Sequence, residues 1–139
     1  MKNLRLAMVL SLGLSFTTAV AGAQHDHMKG MDMSPKHGGK MPPDSALKPA
    51  NGASIKIISP KPGQEFKGDR VPIRFTLVKG RTGHHVHAYV DGELMGMFES
   101  SEGTLTGVKP GMHSLKVRVV EADHKTELHA SDEVKFVVK

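Results

Sequence analysis

The chain contains no cysteine and no tryptophan among its 139 residues, and it has a single tyrosine. Without cysteine there is no disulfide, no thiolate metal site, no blue-copper centre and no cysteine nucleophile. A lipoprotein anchor attached through cysteine at a cleavage site is excluded as well. Any metal must therefore be held by histidine, methionine, carboxylate or backbone groups.

Strong charge of one sign and catalytic motifs are also lacking. The formal net charge is +5. Removing an N-terminal signal that contains Lys2 and Arg5 would lower this charge by two, to +3. This mild excess of positive charge, together with the scarcity of tyrosine and tryptophan for base stacking, argues against a nucleic-acid partner. The chain has no phosphate-binding loop, dinucleotide fingerprint or Gly-x-Ser-x-Gly elbow, so we expect a protein that is not an enzyme.

The first 23 residues have the pattern of a secretion signal. Lys2 and Arg5 precede an apolar run over residues 6–14, and small residues offer cleavage after Ala21 or Ala23. The apolar stretch is too short and too interrupted by Ser and Thr for a membrane span. We therefore expect a periplasmic or secreted protein with no membrane span after the signal is removed.

Residues 24–52 are rich in His, Met, Lys, Gly and Pro and poor in large aliphatic residues. Such a segment buries too little apolar surface to offset the entropy of ordering, so it is predicted to be a disordered tail and linker. Imidazole suits Cu(II) and Zn(II), whereas thioether suits Cu(I), so the segment is a candidate copper ligand cluster, with zinc or another late transition metal as alternatives. Its candidate ligands are His25, His27, Met28, Met31, Met33 and His37, with Met41 nearby.

From residue 53 to residue 139, short β-branched runs alternate with turn residues, which predicts an all-β sandwich of about seven strands. The strands are expected at 54–58, 71–78, 85–90, 93–98, 104–108, 113–121 and 134–138. Asp91-Gly92 is a strong signal for a type I′ hairpin turn. A two-residue turn there pairs Val90 with Glu93, Ala88 with Met95 and Val86 with Met97, which puts both methionines on the core side. The same register sets Gly96 opposite His87.

Three segments resemble bacterial immunoglobulin-like or fibronectin-type-III-like domains: residues 57–63 with 71–75, residues 87–92, and residues 111–117. The resemblance covers residues 55–138 and implies the sandwich fold, without the Cys-Trp-Cys core of antibody domains. The runs His84-His85-Val86-His87 and Ala122-Asp123-His124 resemble uncharacterised His-rich periplasmic domains. Residues 25–33 resemble the Met/His-rich stretches of periplasmic copper-resistance proteins, which implies copper handling.

Within the predicted sandwich, His85 and His87 alternate with Val86 and Ala88, so both histidines share one face of a strand. They are candidate metal ligands, to be completed by one or more of His113, His124 and His129 from other elements. The alternatives are surface histidines with no specific role and histidines that fix loops by hydrogen bonds. Glu99, Glu102 and Glu127 are expected in solvated loops.

Two functions remain open from the sequence. The first is a periplasmic metal-binding or resistance accessory protein, with copper as the leading ion and a periplasmic or outer-membrane protein as a further partner. The second is a metal-independent immunoglobulin-like interaction or scaffold module, because the fold alone does not select a function.

Overall fold

The computed structural model describes residues 39–139 of the chain. Within this range, one short 3₁₀ turn at Asp44–Ala46 precedes eight β-strands. The strands are β1 (Ser54–Ser59), β2 (Gln64–Phe66), β3 (Val71–Val78), β4 (Gly83–Val90), β5 (Glu93–Phe98), β6 (Glu102–Leu105), β7 (Gly111–Glu121) and β8 (Glu127–Val138).

The strands form two sheets that pack face to face as a sandwich. One sheet has three strands in the order β1-β3-β6, and the other has five in the order β2-β8-β7-β4-β5. All neighbours are antiparallel except β2 and β8, which run parallel. The prediction of an all-β immunoglobulin-like sandwich is therefore confirmed, with one short strand, β2, that the sequence pattern did not reveal.

The hydrophobic core comes from alternate residues of strands whose other face points outward. On β3, Ile73 and Phe75 are buried while Arg74 is exposed, as the alternation of the sequence predicts. The inward positions of β4, β7 and β8 also follow the predicted period of two: Val86, Ala88, Val90, Leu115, Val117, Val119, Val134, Phe136 and Val138. One buried face on each strand thus fixes which side chains remain available on the other face.

The β4–β5 hairpin contains the predicted turn but not the predicted register. Asp91 and Gly92 both have positive φ, at 51° and 83°, as a type I′ turn requires. Val90 pairs with Glu93 as expected, but an irregularity follows, and Ala88 then pairs with Gly96 instead of Met95. The expected pairings of Val86 with Met97 and His87 with Gly96 are wrong, because one extra residue in β5 shifts the later pairs.

Residues 39–48, which the sequence placed in the linker, lie against the five-stranded sheet, and we call them the strap. The strap starts beside β5, where Lys40 forms an antiparallel bridge with Glu93. It ends beside β8, where Lys48 bridges Leu128 and its N–H donates to the carbonyl of Glu127. Since β7 and β4 separate β8 from β5 in the sheet, the strap crosses the outer face of these two strands.

Five of the seven predicted strands have different bounds in the structure, and two of these differences are large. The last strand begins at Glu127 and not at Val134, and β6 spans Glu102–Leu105 and not 104–108. Across residues 39–139, none of the structure is a helix with the length and apolar character needed to cross a bilayer.

Candidate metal centre

The outer face of β4 carries the first two side chains of the site. His85 and His87 alternate with the core residues Val86 and Ala88, as the sequence predicted, and Tyr89 continues the same face. His85 is 1% exposed and His87 is 5% exposed, although an outward face of a sandwich is ordinarily wet. Buried imidazoles need partners for their ring nitrogens, so this face holds a network rather than loose surface groups.

His85 and His87 meet through their Nε2 atoms, which are 3.1 Å apart. A metal ion bound to imidazole nitrogens at about 2.0–2.1 Å holds neighbouring nitrogens roughly 2.9–3.4 Å apart for bond angles between about 90° and 109°. The observed separation falls inside that interval. The two nitrogens therefore have the spacing of two ligands of one ion.

The hairpin loop between β7 and β8 supplies the third imidazole, from His124. Asp123 accepts hydrogen bonds from the N–H groups of Lys125 and Thr126, at 2.9 and 2.8 Å, and from the Thr126 hydroxyl, at 2.5 Å. These bonds lower the pKa of Asp123 to about 2 and fix the loop. His124 has a φ of 59°, a left-handed conformation that is uncommon for a residue with a side chain and recurs at functional sites.

His124 completes a group of three. Its ring centroid is 4.3 Å from that of His85. One nitrogen from each of His85, His87 and His124 lies within 4.8 Å of the others. A fourth imidazole is adjacent, because an irregularity between Gly83 and His85 leaves Nδ1 of His84 3.2 Å from Nδ1 of His85.

Gly83 is the residue that allows this irregular start of β4. A Cβ at this position would lie 2.2 Å from the carbonyl oxygen of Lys79 and 2.7 Å from a methyl group of Val119. No residue with a side chain fits without moving the backbone that carries His84 and His85.

Glu127 stands behind His87 and orients it. Nδ1 of His87 lies 3.2 Å from Oε1 of Glu127, and the hydroxyl of Tyr89 donates to the same oxygen. Burial raises the pKa of Glu127, but the hydrogen bonds from His87, Tyr89 and Arg118 outweigh it and lower this pKa overall. A carboxylate only accepts, so Nδ1 of His87 carries a proton in this contact, and the neutral ring then has its lone pair on Nε2, toward His85.

Arg118 connects Glu127 to the strap. Its side chain, 1% exposed, donates from Nη1 to Oε2 of Glu127 at 3.1 Å and to the carbonyl of Pro42 at 2.8 Å. Nη2 donates to Asp44 at 2.6 Å. The opposite charges of Glu127 and Arg118 therefore offset the cost of burying each group beneath the strap. Tyr89 lies in the same environment, where burial and then its bond to Glu127 raise the pKa of the phenol.

The surroundings of His85 favour its neutral imidazole form. Burial, with the neighbouring imidazoles of His87 and His124 as further causes, lowers the pKa of His85 to about 4. His85 therefore keeps a free lone pair at mildly acidic pH, where an ordinary histidine becomes protonated. Protons compete weakly with a metal ion for this ligand.

His113, which the sequence offered as a third ligand, lies elsewhere. Its Nδ1 is 2.6 Å from Asp91 and its Nε2 is 2.6 Å from the carbonyl of Lys109. Neither acceptor carries a proton to donate, so both contacts are satisfied together when the ring is protonated. Burial lowers the pKa of His113, but the bonds to Asp91 and Lys109 outweigh it and raise this pKa overall. His113 thus ties a loop to the β4–β5 turn, which is the loop-fixing alternative.

The pair formed by His113 and Asp91 predicts a specific pH dependence of the free energy of unfolding. The raised pKa of His113 adds stability that is complete below the unfolded value of about 6.5 and lost as pH rises through the folded value. Burial raises the pKa of Asp91, but the bonds to His113 and Ser114 outweigh burial and lower this pKa overall. The contribution of Asp91 to stability is therefore lost as pH falls below about 4. Replacing His113 with Gln should cost less than about 1 kcal/mol at pH 5.5 and less still at pH 8.5. Thermal melts of both proteins at both pH values measure this difference, and an equal cost at the two pH values contradicts it.

The remaining predicted ligands do not join the group. His129 is exposed, and its N–H donates to the carbonyl of Lys48 in the strap. Met41 lies in the strap and its N–H donates to the carbonyl of Gly92. Six candidates lie outside the residues that the structure describes: His25, His27, Met28, Met31, Met33 and His37.

Glu127 and Arg118 are site residues that the sequence did not predict. Glu127 was expected in a solvated loop, but it is the first residue of β8 and is buried beside Arg118. The buried Leu128 and Ala130 alternate with exposed residues, and this alternation indicates a strand that starts before Val134. Arg118 lies between the inward Val117 and Val119, so its outward direction followed from the pattern, whereas its burial did not.

Comparison with known proteins bears on the fold. A fibronectin(III)-like module of Clostridium thermocellum CbhA is similar at 27% identity and a TM-score of 0.50, over 61% of this chain and 95% of that one. A Jonesia denitrificans lytic polysaccharide monooxygenase is similar at 20% identity and a TM-score of 0.43, over 58% and 60% of the two chains. CopC from Methylosinus trichosporium OB3b gives 18% identity and a TM-score of 0.39, over 63% and 93%. The first likeness agrees with the sandwich fold, and the other two are too remote to bear on the site.

No protein-family model and no curated protein sequence matches the chain.

Proposed function

We propose that this chain is an exported metal-binding protein of the periplasm, and that it holds a copper ion as part of metal handling or resistance. One observation carries the proposal: three imidazole nitrogens, from His85, His87 and His124, lie within 4.8 Å of one another. Export rests on the signal-like pattern of residues 1–23.

The surroundings of the three imidazoles support binding over a merely structural role. In the neutral ring, Nε2 of His87 presents a lone pair because Nδ1–H donates to the carboxylate of Glu127, which is the usual support of a metal-bound histidine. The low pKa of His85 keeps a second lone pair available. His124 sits in a strained backbone conformation on a loop fixed by Asp123, and such strain is found where geometry serves a site.

Copper is the proposed ion because of the donor set. Nitrogen ligands bind Cu(II) more tightly than the other divalent ions of the first transition row. The thioethers of Met28, Met31 and Met33 suit Cu(I) and need no deprotonation. We propose that residues 25–37, which we call the leader, and the domain histidines are separate ligand groups on one chain, and that zinc or nickel competes at the imidazoles.

The test is a Cu(II) titration of the full chain without its signal, followed by electron paramagnetic resonance with counting of bound imidazoles. A leader variant with His25, His27 and His37 changed to Ala should keep one site with at least two imidazole ligands. Absence of any retained Cu(II) or Zn(II) in that variant contradicts a metal site in the domain.

His124 offers a graded test of the same site. His124→Ala removes the exposed ligand and leaves the buried pair, so the affinity for Cu(II) should fall by at least about tenfold, the lower end of the cost of losing a supporting group at a metal site. His129→Ala is the matched control, because His129 is exposed and is not a member of the group of three. Competition with a chelator of known affinity measures both, and an equal effect of the two substitutions argues against His124 as a ligand.

A further inference from the structure

Met97 lies beside the histidine cluster because of the irregularity in β5. In the observed register Met97 pairs directly with His87, and opposite residues of an antiparallel pair project from the same face. Met95, on the other side of the irregularity, packs against the core. The expectation that both methionines lie on the core side is therefore wrong for Met97.

The residues around Met97 hold it in this orientation. The ring of Phe98 covers Gly96 so closely that a Cβ on Gly96 would lie 2.6 Å from it. Phe98 packs against the core and Gly96 is buried opposite Ala88. With its two neighbours directed inward, Met97 is directed outward, where it is 40% exposed.

The thioether of Met97 is within reach of the ion that the imidazoles would bind. Opposite residues have Cβ atoms about 4.5–5.5 Å apart, and the sulfur is two bonds beyond the Cβ on a chain with three rotatable bonds. Exposed methionines far from such donors are ordinary surface residues, as at Met112, which is 76% exposed. Met97 differs because its strand partner is one of the three clustered histidines.

We infer that Met97 is a fourth, soft ligand of the His85–His87–His124 site, and that this site therefore accepts a monovalent soft ion, Cu(I) or Ag(I), as well as a divalent one. The inference rests on the proposed function, since the thioether alone is a weak ligand. Thioether sulfur selects Cu(I), whereas imidazole serves both oxidation states. A site with both donor types can keep its ion when the oxidation state changes.

The experiment uses the full chain without its signal, labelled with ¹³C at the methionine methyl groups, and Ag(I) as the probe because it mimics Cu(I) without redox chemistry. The Met97 methyl resonance, assigned by its loss in Met97→Leu, should shift together with the ring resonances of His85 and His87. The Met112 resonance should not move. In competition assays on a leader variant in which Met28, Met31 and Met33 are also changed to Leu, Met97→Leu should lower the Ag(I) affinity by at least about tenfold. The Zn(II) affinity should change less than twofold. Met112→Leu is the matched control.

The possible failures are distinct. If the histidine rings respond to Zn(II) or Ag(I) and the Met97 methyl does not respond to Ag(I), the inference about Met97 is overturned and the metal site stands. If neither the rings nor Met97 respond to any of these ions, the proposed function fails, and the inference fails with it.

Discussion

His87→Gln is expected to lower the affinity of the domain site for Cu(II) by more than about 100-fold, beyond the cost of losing a supporting group alone. Of the three clustered histidines, His87 is the one that contacts both another proposed ligand, His85, and the carboxylate of Glu127. Its loss removes a buried ligand and the one that Glu127 orients.

Glutamine is chosen because it removes the metal-binding imidazole while keeping a hydrogen-bond donor that the fold needs. Its amide N–H can still donate to Glu127, so the buried carboxylate keeps a partner, whereas an amide is a poor ligand for copper. His129→Gln is the matched control on an exposed histidine outside the cluster. Affinity is measured by chelator competition in the leader variant, and thermal melts check that the fold is kept. An affinity within threefold of the parent protein would remove His87 from the site.

The shared face of His85 and His87 was predictable from the sequence because burial on one face of a strand imposes a period of two. Val86, Ala88 and Val90 are apolar and pack inward, so the residues between them project outward. The hairpin turn was equally predictable, since Asp91-Gly92 tolerates two positive φ values.

The position of Met97 was not predictable by the same means. One extra residue in β5 reverses the face of every residue beyond it, and the extra residue has no composition signal of its own. Gly96 is consistent with such an irregularity, but the deciding contact is the ring of Phe98 over it, which depends on the sandwich core.

The burial of the cluster also depends on contacts between distant parts of the chain. The strap looks like linker in composition, yet it pairs with β5 at Lys40 and with β8 at Lys48. Arg118 reaches it across 76 positions of sequence, at Pro42. The sequence pattern depends on residues close together in the chain, so it does not show that a distant segment covers the polar outer face of the sheet. For this reason Glu127 was expected in solvent.

Arg118→Met is expected to destabilise the domain by about 3–5 kcal/mol, the range for breaking a buried ion pair by removing one partner. Methionine approximates the length of the arginine stem, so the main change is the lost guanidinium. Glu127, 3% exposed at its side chain, would retain its bonds from Tyr89 and His87 but lose the guanidinium of Arg118. The strap would also lose the donor to Pro42 and Asp44.

Two further variants assign this loss to the buried charge. In the Arg118→Met background, Glu127→Gln removes the uncompensated carboxylate, so a substantial part of the stability should return. Asp44→Asn breaks only the ion pair at the strap, where Asp44 is 78% exposed, so its cost should stay below about 1 kcal/mol. Urea unfolding of the metal-free proteins measures all three, without a contribution from ion binding. If Arg118→Met costs no more than Asp44→Asn, the buried pair with Glu127 does not contribute measurably to the stability of the fold.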